Sequence, residues 1–294
     1  VAPMLLTAVT DVLMPVFAIV AVGWAIGGRI GVDLESLTEL LLFVAVPALA
    51  LDALVQYQPQ PTELGRVAAA AVFVMVATGS LGAFAASLLG VPWRAMVLSS
   101  AFMNAGNFGL PFALLAWGKA GLAVAVLYYL TMSITHNSLG IWIARGDAHG
   151  WREIFRLPLP YAVAAGLGLA WGGLAPPLWL AKPIEMLGQM AIPLMLFSLG
   201  MRLRSVTLGA VRTAVAAVLL RMCGGVSAGW LFTSAFGIGG LTGDVIVFVS
   251  SMPTAVLNFV LAQRYGADSE LVATSILLST VATVASVPLL LSVL

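Results

Sequence analysis

The chain is poor in cysteine, histidine and charge. Its 294 residues include one Cys and two His, and Asp, Glu, Lys and Arg together make up only 9%. Because Cys223 stands alone, an intrachain disulfide and a cysteine-based metal cluster are excluded, and we predict neither a metal site nor a cofactor. Hydrophobic residues make up 61%. A soluble domain of this length could not bury so much apolar surface, so the composition predicts an integral membrane protein surrounded by lipid.

Long apolar runs predict an all-α protein with ten transmembrane helices. Each crossing takes about 20 residues, so ten crossings use roughly 200 residues and leave short loops. The first run lacks a basic leader, and we expect it to be a true span rather than a removable signal. The predicted spans are residues 5–28, 34–55, 64–89, 94–117, 119–144, 158–175, 183–203, 207–236, 241–264 and 268–293.

The placement of Arg and Lys predicts the orientation. Span ends on one side carry Arg29, Arg94, Arg145, Arg152, Arg156, Arg202, Arg204, Arg212 and Arg264. Span ends on the other side carry Arg66, Lys119 and Lys182. Basic residues concentrate on the cytoplasmic side, so we expect both termini outside a bacterial cytoplasmic membrane. The net charge of +1 gives no reason to expect nucleic acid as a partner.

Two apolar spans contain polar interruptions. The fourth span holds two Asn, two Gly and one Pro between Asn104 and Pro111, and the ninth holds a comparable stretch from Ser250 to Phe259. Polar groups and freed backbone at membrane depth are costly unless they line a cavity or are buried in protein. Interrupted helices at matching positions of two halves are typical of the binding site of a secondary transporter.

The two halves are related by an internal duplication. Ser99-Ser100 and Asn107-Phe108 recur as Ser250-Ser251 and Asn258-Phe259, each 151 residues later (250 − 99 and 258 − 107). Five spans per half is an odd number, so the second half must enter the membrane from the opposite side. The predicted organisation is a first repeat over residues 1–144, a cytoplasmic connector over 145–157 and an inverted second repeat over 158–294.

The polar residues of the interruptions are the candidate binding site. Neutral amides can donate to a carboxylate, and a helix that restarts after a break points its first N–H groups at an anion. We therefore expect a small organic anion as the substrate. The alternative is that the asparagines only hold helices together. The predicted substrate-binding residues are Asn104, Gly106, Asn107, Pro111, Ser251, Pro253, Thr254 and Asn258.

Three further residues are candidates for ion coupling or for attracting the anion. Protonation of His136 could couple transport to H⁺, and Arg221, inside a span, could attract an anion. Asn104, Thr131 and Ser251 could together bind Na⁺ if their helices meet. For His136 and Arg221, a structural hydrogen-bonding role is the alternative.

The interrupted segments also carry a family resemblance. Asn104 to Pro111, Met195 to Gly200 and Pro253 to Tyr265 resemble motifs of helices 4, 7 and 9 of the auxin efflux carrier family, which includes plant auxin exporters and bacterial permeases. The long central loop of the plant exporters is absent, and Asn258 stands where they have proline.

The resemblance implies a function and a mechanism. It implies an elevator-type transporter for carboxylates such as malonate or auxin-like acids, and a homodimer. Its scaffold part would comprise mainly helices 1, 2, 6 and 7, and its transport part helices 3–5 and 8–10. The first alternative is a sodium-coupled symporter like those for bile acids. An intramembrane enzyme is disfavoured because no nucleophile, base and metal set occurs at membrane depth.

Overall fold

The structure, a computed structural model, describes residues 6–145, 156–204 and 209–294. In these ranges the chain is helical apart from short connections, so the predicted all-α class is confirmed. Most of the predicted connector, including Arg152, lies outside the described residues. The helices are α1 Ala8–Ile26, α2 Leu34–Tyr57, α3 Pro61–Leu89, α4 Trp93–Ala101, α5 Ala105–Arg145, α6 Leu159–Trp171, α7 Leu178–Leu203, α8 Val211–Ala235, α9 Gly240–Ser250, α10 Leu257–Tyr265 and α11 Ser269–Leu291.

Several of these helices are long and apolar enough to cross a bilayer. Among the described residues there are seven, namely α1, α2, α3, α5, α7, α8 and α11. The shorter apolar helices α6 and α9 have 13 and 11 residues. The chain is therefore an integral membrane protein, as its composition predicts.

Helix α5 has 41 residues, which would extend about 60 Å if it were straight, twice the thickness of the hydrocarbon core. It is not straight, because Gly118 has φ 64° and ψ −157°, outside the helical region. A Cβ placed on Gly121 would lie 2.9 Å from the carbonyl oxygen of Ala113, eight residues earlier, so the chain bends sharply here. The bend falls between the predicted spans 94–117 and 119–144.

The helices pack mainly in two groups. Helix α1 packs against α7, and α2 packs against α6 and α7. In the second group, α3 packs against α4 and α8, and α8 packs against α9 and α11. Helix α5 contacts α3 and α9 in the second group, and α2 in the first.

Helices α1 and α7 approach so closely that their backbones touch. A Cβ on Gly200 of α7 would lie 2.0 Å from the carbonyl oxygen of Val20, and one on Gly23 of α1 would lie 2.2 Å from that of Phe197. No side chain fits at either position. Small residues at such a crossing are how transmembrane helices associate without a hydrophobic driving force.

We predict that Gly200→Ala destabilises the protein, because its methyl group would force the two backbones apart. The expected cost is about 2 kcal/mol, which lowers the midpoint of thermal unfolding by roughly 5 °C. The measurement is a thermal unfolding curve in detergent. Gly168→Ala in α6 is the matched control, because no atom lies within 4 Å of its Cβ position. Equal midpoints for both variants would contradict the close packing of α1 on α7.

Candidate functional site

Two extended segments cross in the interior of the helical assembly. Residues 102–104 separate α4 from α5, and residues 251–256 separate α9 from α10. The backbone N–H of Asn104 donates to the carbonyl of Pro253 (2.7 Å), and that of Ala255 donates to the carbonyl of Phe102 (3.0 Å). Met103 and Thr254 form an antiparallel pair between these bonds. The second break falls inside the predicted interruption Ser250–Phe259, whereas the first lies earlier than predicted and overlaps the stretch Asn104–Pro111 only at Asn104. The two segments meet.

Buried side chains fasten this crossing. The amide nitrogen of Asn258 donates to the carbonyls of Leu98 (2.7 Å) and Phe102 (3.3 Å). The hydroxyl of Thr254 donates to the carbonyl of Ser99 (2.9 Å), and both side chains are fully buried. These bonds satisfy the last carbonyls of α4, which have no partner within their own helix.

Arg221 of α8 lies behind the crossing and is fully buried. Its Nη1 donates to the carbonyls of Ser100 (2.7 Å) and Ala101 (2.8 Å) and to the hydroxyl of Thr78 (3.2 Å), while Nη2 donates to the carbonyl of Ser250 (2.8 Å). Within the described ranges, no carboxylate pairs with this guanidinium. Arg221 therefore binds the C-terminal ends of both interrupted helices.

A cavity of about 570 Å³ lies in front of the crossing. This volume is in the usual range for small-molecule sites. Its polar and charged lining residues are Asp33, Glu35, Thr38, Asn104, Asn107, Tyr129, Ser133, His136, Asn137, Ser198 and Arg202. Methionines and aliphatic residues, Met103, Met132, Met195 and Val256 among them, form the apolar part of the wall.

The predicted substrate-binding residues divide between this wall and the crossing. Three of them, Asn104, Gly106 and Asn107, line the cavity. The other five are buried and do not line it: Pro111, Ser251, Pro253, Thr254 and Asn258.

Asn104 has an unused donor at the cavity. Its side chain is 5% exposed, and its Oδ1 accepts a hydrogen bond from the backbone N–H of Asn107 (3.1 Å). Its Nδ2 has no partner. This residue caps the N-terminus of α5, so the unused donor lies beside a helix N-terminus, which attracts negative charge.

The C-terminal half of α5 forms another side of the cavity. His136 is 2% exposed, lines the cavity, and stacks on Phe102 with ring centroids 4.4 Å apart. Thr131 points elsewhere, and its hydroxyl donates to the carbonyl of Leu127 (3.1 Å). Asn104, Thr131 and Ser251 therefore do not share the cavity wall, and Arg221 lies outside it.

Sequence reasoning missed most of this second wall. Ser133 follows Tyr129 by four residues, and His136 and Asn137 follow Ser133 by three and four, so the four residues lie on one side of the helix. That spacing was available in the sequence. The signal was weak because such polar residues also occur where helices merely hydrogen-bond to each other.

The mouth of the cavity carries both signs of charge. Arg202 of α7 donates to the hydroxyl of Thr38 on α2 (2.6 Å), and Asp33 and Glu35 lie at the start of α2. The pKa of the Asp33 carboxyl is held below its ordinary value by three hydrogen bonds. In decreasing order of effect, these come from the hydroxyl of Ser36, the backbone N–H of Ser36 and the backbone N–H of Glu35. Asp33 therefore stays ionised at neutral pH, and the mouth itself is not strongly positive.

Comparison with known proteins identifies the class. Residues 147–291 match the model of a family described as "Membrane transport protein". The resemblance to the auxin efflux carrier family is confirmed. This transporter is also 29% identical, over 95% of its length and 96% of the relative's, to an "Uncharacterized transporter" of Methanothermobacter thermautotrophicus.

Two other relatives are transporters by name. An "Uncharacterized transporter" of Methanocaldococcus jannaschii is 27% identical over 63% of each chain. A protein of Rhizobium meliloti named "Putative malonate transporter" is 25% identical over 95% of this chain and 93% of its own length. Family and relatives together make the protein a membrane transporter.

We predict that Asn258→Ala destabilises the transporter, whereas Asn107→Ala does not. The first change removes the donor to two buried carbonyls and should cost about 1–3 kcal/mol. The second removes a half-buried cavity side chain and should stay within about 0.5 kcal/mol. Thermal unfolding of both variants in detergent measures the difference. An unchanged midpoint for Asn258→Ala would show that its amide does not hold the crossing.

Proposed function

We propose that the protein is a secondary transporter of small organic anions, carboxylates such as malonate or auxin-like acids. The observation that carries this proposal is the unpartnered Nδ2 of Asn104 in a cavity of about 570 Å³. A buried donor without an acceptor is costly, so its retention on a cavity wall favours a ligand that supplies the acceptor.

The proposed binding mode uses neutral donors and helix dipoles. One carboxylate oxygen accepts from Asn104 Nδ2, and the N-terminus of α5 at Gly106 and Asn107 favours its negative charge. No cavity arginine is required to pair with it at this depth. Such binding is weak enough for release, which transport requires at the end of each cycle.

Malonate is the first substrate to test. The name of the Rhizobium meliloti relative specifies malonate, and that relative aligns with nearly the whole chain. A second carboxylate of a short dicarboxylate could reach the hydroxyls and amides of the opposite wall, among them Ser133, Asn137 and Ser198. We assign no enzymatic activity.

We further propose an elevator-type mechanism with ten spans in two inverted repeats. The count of ten requires two conditions. Helix α5 crosses twice, once on each side of its bend at Gly118, and each broken pair, α4 with the first part of α5 and α9 with α10, forms one crossing. The packing of α1, α2, α6 and α7 apart from most of the other helices supports a fixed scaffold and a moving body. We also propose a homodimer, as in the family, built on that scaffold.

The proposed membrane is the bacterial cytoplasmic membrane, with both termini outside. In that orientation the end of α7, where Arg202 lies, is cytoplasmic, and the cavity opens inward.

We predict that Asn104→Asp lowers malonate uptake more than Asn104→Ala, and that both lower it at least about tenfold. Asp keeps the oxygen that accepts from Asn107 N–H, but it replaces the unused donor with a negative charge. The measurement is uptake of labelled malonate into liposomes. Ser138→Ala is the control, because its hydroxyl bonds only within its own helix and it does not line the cavity. Wild-type uptake by Asn104→Asp would remove Asn104 from the site.

The driving force in our proposal is the membrane potential or a gradient of H⁺ or Na⁺, and His136 is the candidate for H⁺. We predict that His136→Gln flattens the pH dependence of uptake, because glutamine cannot take up a proton. The same liposomes, assayed with and without external sodium, test the alternative of a sodium-coupled symporter. Loss of uptake without sodium and an unchanged pH profile in His136→Gln would favour that alternative.

A further inference from the structure

Arg221 is the only fully buried cation in the part of the chain that the structure describes, and it does not line the cavity. Its partners are three main-chain carbonyls and one hydroxyl. A charge buried in this way is expensive unless something of opposite sign compensates it. The question is what supplies the negative charge, since in these ranges no carboxylate does.

The compensating charge comes from two helix ends. Ser100 and Ala101 are at the C-terminus of α4, and Ser250 is at the C-terminus of α9. Each helix C-terminus carries about half a negative charge from its aligned peptide dipoles, so the two ends together carry about one. A single guanidinium, always protonated, neutralises them.

The N-termini that follow the two breaks are left uncompensated. Helix α5 starts at Ala105 and α10 at Leu257, each within a few residues of a neutralised C-terminus. In a broken helix the negative C-terminus before the break lies close to the positive N-terminus after it, so their fields largely cancel. Here the charge of Arg221 cancels the field of the C-termini, and the field of the N-termini remains. Each N-terminus then contributes about half a positive charge. Gly106 and Leu257 at these N-termini line the cavity.

We propose that Arg221 is the residue that makes the crossing electropositive and so selects anions, without touching the ligand. This inference rests on the proposed function and deepens it. Arg221 also positions the site, because its planar group bonds to both helix ends at once and holds them at a fixed separation. It is a positioning residue, and the binding contacts belong to Asn104 and its neighbours.

The electrostatic part of the proposal has a signature that a purely structural role lacks. The Coulomb energy between a fixed charge and a ligand is proportional to the ligand's charge. For Arg221→Gln we expect affinity to fall about tenfold for a monoanion and about a hundredfold for a dianion of similar size. A change of shape alone would weaken both ligands by similar factors.

The experiment compares Arg221→Gln, Arg221→Lys and Arg212→Gln with the wild type. Lys keeps the charge and loses part of the fork, so both affinities should stay within about threefold of the wild type. Arg212 is exposed near the start of the same helix and serves as the control. The probes are malonate, a dianion at pH 7.5, and its monomethyl ester, a monoanion, titrated calorimetrically in detergent.

A second measurement reports on the crossing without any ligand. Amide hydrogen exchange at Asn104 and Ala255 follows the two bonds that join the segments. We expect exchange there to be at least about tenfold faster in Arg221→Gln, faster by a smaller factor in Arg221→Lys, which loses part of the fork, and near the wild-type rate in Arg212→Gln.

The proposal is supported if Arg221→Gln loses more affinity for malonate than for its ester and if Arg221→Lys restores that affinity. It is overturned if Arg221→Gln loses affinity equally for both ligands or binds them as tightly as the wild type. If the wild type binds neither probe, the proposed function fails by itself. Faster exchange confined to the crossing then still supports the positioning role of Arg221, and unchanged exchange overturns it.

Discussion

The backbone pairing between residues 102–104 and 251–256 is the interaction on which the rest of the site depends. A helix that breaks within a membrane frees N–H and C=O groups that no water can satisfy. Here each break supplies the partners of the other, through Asn104 to Pro253 and Ala255 to Phe102. Neither segment could stay extended alone. The pairing brings two helix C-termini and two helix N-termini into one small region, and the chemistry of the region follows from those four ends.

The two interrupted segments share a sequence pattern but make different contacts. Asn107 and Asn258, each followed by Phe, lie 151 residues apart. Asn107 is half-buried and lines the cavity, whereas Asn258 is fully buried and holds the end of α4. Both turns border the cavity, but the second does so with Ala255, Val256 and Leu257, while Asn258 faces the end of α4. Similar sequences therefore give different surroundings: the amide lines the cavity in one segment and bonds to a helix end in the other.

The breaks and the class could be predicted from the sequence because their causes are local. Glycine, proline and asparagine close together inside an apolar run favour a break in the helix. The resemblance at Asn104–Pro111 led to the family that the comparison confirmed. The partners of Arg221 had no such signal. Three of the four are main-chain carbonyls, from segments 121 and 29 positions away in the chain, and a carbonyl leaves no mark on the sequence. Thr131 does not line the cavity for a geometric reason, because successive residues point about 100° apart on a helix.

The mouth and the interior of the site differ in how they use charge. At the mouth Asp33 and Glu35 are exposed, where a full charge is inexpensive and strongly screened, and Arg202 is half-buried beside Thr38. At the crossing, in our proposal, the positive character comes from partial charges on backbone N–H groups, which cost little to bury because the fold already contains them. A permanent cation beside the crossing would hold a carboxylate too firmly in a medium of low dielectric constant. We propose that placing Arg221 behind the helix ends leaves a weaker attraction at the cavity, of a strength from which an anion can both bind and dissociate.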